Sequence, residues 1–146
     1  MKKIFVSIVL GLLLVVPSMA QNVKEISGDI FRERVFDYKS DEGWSFKGER
    51  ACLVDFSTSW CGWCKRQEPI FEALAKELKD QIDFYKIDCE KNPDLAYVLG
   101  IKSYPTILLI RADGKPLMLK GYRDKDAWKE IFDEFFFELK QENRCK

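Results

Sequence analysis

From residue 51 onward the apolar and polar positions fall into two clear periods. Cys52-Leu53-Val54-Asp55-Phe56 is an apolar run broken by one acid, the pattern of a central strand buried on both faces. Ile70, Phe71, Leu74, Ala75 and Leu78 then recur at helical spacing. Phe84 to Asp88 reads as a second strand. Asn92-Pro93 opens a short helix, with a capping residue followed by Pro at the first helical position, and Gly100 stops it. Thr106 to Ile110 reads as a third strand. Asp113-Gly114 is a hairpin signal leading to a strand around Leu117 to Leu119. In the last helix, Trp128, Ile131, Phe132, Phe135, Phe136 and Leu139 share one face, and Phe137 flanks it as a residue able to reach a partner. The first three strands, joined through helices, are expected to be parallel crossovers, and the hairpin adds an antiparallel edge. The fold class is therefore α/β, a central mixed sheet with helices on its faces.

The region before residue 51 has weaker patterning. Residues 21–50 are polar; Ile30, Phe31, Val35 and Phe36 suggest a short helix packing on something larger, and Asp41-Glu42-Gly43 a turn. Residues 1–20 follow the grammar of a secretory signal: Lys2-Lys3, an apolar stretch from Ile4 to Val16, then small residues at Ser18 and Ala20. The apolar stretch is shorter than the roughly 20 residues that a membrane-spanning helix needs, so cleavage is expected rather than a retained anchor. The chain divides into a signal at 1–20, an N-terminal extension at 21–50 packing on the domain, a domain at 51–142 and a polar tail at 143–146. Export implies the periplasm or the extracellular space, and no membrane insertion after cleavage.

Composition narrows the chemistry. Lys+Arg and Asp+Glu number 24 each, a balance that offers nothing to nucleic acid or an anionic membrane surface. The chain has no histidine, which excludes Ser-His-Asp and Cys-His catalysis and His-ligated metals. It has five cysteines, all beyond residue 50. Cys61-Gly62-Trp63-Cys64 stands between a strand and a helix. Such a position favours a thiolate, because unpaired N–H groups and the positive end of the helix dipole face the first sulfur. Cys61 is then the nucleophile. Cys64, one turn on, is the thiol that resolves a mixed disulfide. Half a zinc site and a purely structural disulfide are the alternatives. The first lacks a second C-x-x-C, and the second closes too short a loop to stabilise much.

Val54-Asp55-Phe56, Trp60-Cys61-Gly62-Trp63-Cys64-Lys65, Pro69, Tyr104-Pro105-Thr106 and Gly121 are together similar in order and spacing to the thioredoxin family. The resemblance covers about residues 51–140 and implies the thioredoxin fold. It also implies thiol–disulfide exchange with protein substrates, with the Cys61–Cys64 pair as the redox group and no other cofactor. It makes Asp55 the buried acid that exchanges protons with Cys64, its ionised form disfavoured by burial, and Lys86 the lysine beside that acid. Pro105 becomes a cis-proline, with the main chain of Tyr104 pairing with a bound peptide. Trp60, Gly62, Trp63, Tyr104 and Gly121 form a partly apolar rim for substrate.

Gly62 and Lys65 resemble the reducing members of the family, which favours a reductase supplied by a membrane-bound electron donor. The best-known reducing members carry Gly-Pro between the cysteines where this chain has Gly62-Trp63, and Ser57 replaces a frequent aromatic residue. An oxidant or isomerase, or a non-catalytic binding module, therefore stays open. A monomer is expected. Cys52 reads as a small buried hydrophobe. Cys52 and Cys89 are expected at opposite ends of the sheet, too far apart to bridge. Cys145 lies in the tail with no partner indicated.

Overall fold

The computed structural model describes residues 22–40 and 42–137. The expected signal, Asp41, Leu139 and the tail with Cys145 lie outside these. The elements are β1 (Lys24–Glu25), α1 (Gly28–Arg34), β2 (Ala51–Ser57), α2 (Gly62–Glu77), β3 (Ile82–Asp88), α3 (Pro93–Val98), β4 (Thr106–Ile110), β5 (Pro116–Lys120) and α4 (Lys125–Phe132), followed by a π-helical turn (Asp133–Phe137). The five strands form one sheet in the order β1-β3-β2-β4-β5.

β2 is the central strand, as its apolar run predicts, and every residue from Cys52 to Ser57 is buried. Alternation of side chains sorts its residues between two cores. Cys52, Val54 and Phe56 meet Phe31 and Val35 around α1 and Leu95 and Ala96 of α3. Leu53 meets Phe71 and Leu74 of α2 and Trp128 and Phe132 of α4. Asp55, two residues after Leu53, thus lies on the α2 face.

β3 runs parallel to β2, but β4 runs antiparallel to it, which corrects the expectation of three parallel strands. The length of the connecting helix explains the difference. A seven-residue strand is about 23 Å long, and the 16 residues of α2 span about 24 Å, enough to carry the chain back along the sheet. The six residues of α3 span only about 9 Å. The chain therefore stays at the end where β3 finished and re-enters the sheet in the opposite direction. The β4–β5 hairpin turns through Arg111 to Lys115, with Gly114 at φ 85° supplying the left-handed residue.

Two features depart from the sequence pattern. β1, absent from the expected elements, pairs parallel to β3, with Lys24 opposite Tyr85 and Glu25 opposite Lys86. The last helix widens into the π turn after Phe132. That wider turn lets Phe135, Phe136 and Phe137 all pack against the α2–α4 core. Phe137, expected to reach outward, has its ring centroid 6.2 Å from that of Phe136. Among the described residues no helix is long and apolar enough to cross a membrane.

Candidate active site

The end of β2 delivers the chain through Thr58, Ser59 and Trp60 to Cys61, which caps α2. Cys61 has extended backbone angles, and the Cys64 N–H donates to its Sγ at 3.1 Å. A free amide of the first helical turn thus points at the first sulfur. No carboxylate occupies that turn, so the helix dipole is unopposed there. Cys61 and Cys64 are closed as a disulfide with Cα atoms 5.3 Å apart. Each residue is only 5% exposed, so an incoming sulfur has a restricted approach.

The surroundings of the pair are aromatic. Trp60 and Trp63 are exposed, at 69% and 53%. Trp60 meets Tyr104 edge to face at 5.8 Å, and the Tyr104–Pro105 peptide bond is cis. Trp63, Tyr104, Pro105, Gly121 and Tyr122 line a groove of about 290 Å³. Gly121 has φ 86°, a left-handed conformation, and its N–H donates to the Pro105 carbonyl at 2.8 Å. The structure therefore gathers Trp63, Tyr104, Pro105 and Gly121 from three separate segments, and Trp60 joins them through its ring contact with Tyr104. Gly62 is exposed at the start of α2.

Asp55, on the α2 face of β2, is 3% exposed, and its Oδ1 has no hydrogen-bond partner among the described residues. Burial pushes its carboxyl up to about 7; the Lys86 charge opposes that shift and the Glu68 charge adds to it. Lys86 is the register partner of Asp55 on β3, but its Nζ bonds Glu68 Oε1 at 2.7 Å.

Sequence reasoning missed three residues here. Tyr122 packs on Trp63 with ring centroids 5.3 Å apart, and the Arg66 guanidinium lies 5.0 Å over the same Trp63 ring. Adjacency to Gly121 was the available signal for Tyr122. Glu68 follows Cys64 by four residues, a spacing that puts both on one helix face.

Cys52 and Cys89 are buried and unbonded, in line with their expected separation. Burial raises their thiols to about 12 and about 11, which keeps them protonated. The Tyr104 hydroxyl beside the Cys89 thiol opposes part of that rise.

Residues 23–134 match the family model described as Thioredoxin. The chain belongs to the thioredoxin family. A thioredoxin of Borreliella burgdorferi is 47% identical over 106 residues, covering 73% of this chain and 91% of that protein. A Staphylococcus aureus thioredoxin is 35% identical over 83 residues, covering 56% and 79%. Among solved structures, chloroplastic thioredoxin z superposes with a TM-score of 0.66 at 28% identity, covering 77% of this chain and 92% of that one. Malassezia sympodialis thioredoxin does so with a TM-score of 0.61 at 25% identity, covering 77% and 89%. Thioredoxins are thiol–disulfide oxidoreductases. This chain, with its disulfide at the cap of α2, has that activity toward protein disulfides.

Proposed function

We propose that the protein is an exported reductase of protein disulfides, with Cys61 attacking and Cys64 resolving. The observation that carries this reading is the Cys64 amide directed at Cys61 Sγ, because it stabilises the sulfur that must be anionic to attack. In the dithiol form, the Cys61 thiolate attacks one sulfur of the substrate. A Cys61–substrate bond forms, the substrate disulfide breaks, and the departing sulfur takes a proton. Asp55 then accepts the proton of Cys64. The Cys64 thiolate attacks Cys61 Sγ, closing the 61–64 disulfide and releasing the second substrate sulfur. Two electrons have passed to the substrate, and a membrane-bound dithiol donor restores the enzyme. Trp60, Gly62, Trp63, Pro105 and Gly121 form the surface on which an extended substrate segment lies, and the Tyr104 main chain pairs with it. Lys86 assists Asp55.

Gly62 and Lys65 support the reducing direction, and the pattern of residues 1–20 supports export to the periplasm by a protein that acts as a monomer. Insulin reduction with dithiothreitol tests the activity: the protein accelerates precipitation, and Cys61→Ser brings the rate back to the buffer control. An acceleration that survives in Cys61→Ser sinks the reading. Equilibration with glutathione tests the direction, with a potential below about −230 mV expected and one above about −180 mV indicating an oxidant or isomerase. The exported protein is expected to begin at Gln21 by N-terminal sequencing and to sediment as one chain.

A further inference from the structure

Asp55 is enclosed by groups from several elements. β3 brings Lys86, α2 brings Glu68 and Glu72, and β1 brings Glu25; with Asp55 they line a cavity of about 10 Å³. β4 contributes the apolar Ile107 opposite Asp55 in register, and the buried, unbridged Cys89 thiol just past the end of β3 is a further titratable group that feels the Asp55 charge. Two of the three glutamates are engaged elsewhere. Glu72 accepts from the Asn22 and Val23 amides, at 3.0 and 3.2 Å. Glu25 bonds Lys91 at 3.1 Å. Glu68 alone of the three bonds the Lys86 ammonium, at 2.7 Å, while Asp55 Oδ1 has no partner among the described residues.

We propose that Glu68 is a positioning residue for proton exchange at Asp55. Its ion pair holds the Lys86 ammonium on the α2 wall of the cavity and keeps that cation from forming a salt bridge with Asp55. The inference rests on the reading that Asp55 takes the Cys64 proton. A cation close to a carboxyl favours its ionised form, and a second carboxylate disfavours it. Glu68 acts in both senses, drawing the cation away and adding a negative charge of its own. Burial of Asp55 sets the range in which the acid exchanges protons, and Glu68 adjusts it.

Carbon-detected NMR titration of the Asp55 carboxyl in the full chain tests this, alongside the pH profile of insulin reduction. Glu68→Gln should lower the Asp55 midpoint by about one pH unit and move the activity profile to lower pH in the same direction. Lys86→Met should raise the midpoint, and Glu68→Asp should return it toward that of the unmodified protein. An Asp55 midpoint unchanged in Glu68→Gln, or shifted in the same direction by Glu68→Gln and Lys86→Met, overturns the proposal. Failure of the underlying reading looks different: Asp55→Asn would then leave the rate and pH profile of insulin reduction unaltered.

Discussion

A carboxyl that titrates near neutrality inside the core couples stability to pH. Asp55 has a folded value of about 7, against about 3.9 for an unfolded aspartate. Between those values the folded chain binds the extra proton, so stability falls as pH rises from about 4 to about 7 and levels off above. Below about pH 4 the side chain is protonated in both states, and it neither adds nor removes stability. Asp55→Asn, a neutral group of similar shape, should therefore leave the oxidised protein about as stable at pH 4 and stabilise it at pH 8. The gain is on the order of 4 kcal/mol at most, from the pKa difference; urea unfolding at the two pH values measures it. An equal effect at both pH values would locate the cause in packing rather than charge. Asp55 was legible in the sequence because an acid within an apolar strand is conspicuous. Glu68 was not, because a glutamate on a helix is by default a solvated one, and only the folded structure shows its ion pair with the lysine expected at Asp55.

α2 depends on Cys61 for more than its redox chemistry, since that residue is also the helix cap. Serine is a good capping residue and alanine a poor one, a difference of about 1 kcal/mol. In a Cys64→Ser background, both Cys61→Ser and Cys61→Ala should abolish insulin reduction. Cys61→Ala should in addition unfold about 1 kcal/mol more readily, as denaturant midpoints at matched slopes will show. Equal stability of the two would mean that the cap geometry does not matter to α2. Strong periodicity made α2 and the helix after Asp124 readable, a continuous apolar run did so for β2, and the C-x-x-C spacing at a helix start indicated the pairing of Cys61 with Cys64. What periodicity does not encode is direction. β4 was misassigned as parallel because an apolar strand looks the same in either sense, and only the shortness of α3 indicates that the chain has not crossed back. β1 escaped notice for a related reason: two residues, Lys24 and Glu25, show no alternation, and their place depends on the backbone edge that β3 offers.

At the scale of the whole molecule, residues 22–35 close both cores and one sheet edge. Phe31 and Val35 are fully buried in the α1–α3 core, and Val23 is buried in the α2–α4 core. Full burial of such side chains is worth roughly 1.5–3 kcal/mol each, and a domain of this size is stable by only about 5–15 kcal/mol. β1 also covers the outer edge of β3, and the Glu72 carboxylate fastens its start through the Asn22 and Val23 amides. Without the segment, β3 would present an open row of N–H and C=O groups beside exposed apolar surface, the condition for strand-to-strand association. A chain beginning at Gln21 should thus give a sharp near-ultraviolet dichroism spectrum and a single cooperative unfolding transition. One beginning at Phe36 should lose the tertiary signal and elute as aggregate, even though it retains both cysteines, Asp55 and Pro105. If the shorter chain instead unfolded cooperatively and reduced insulin at the rate of the longer one, the segment would be an accessory to the fold, and the stability assigned to Phe31 and Val35 would have to come from elsewhere in the sheet.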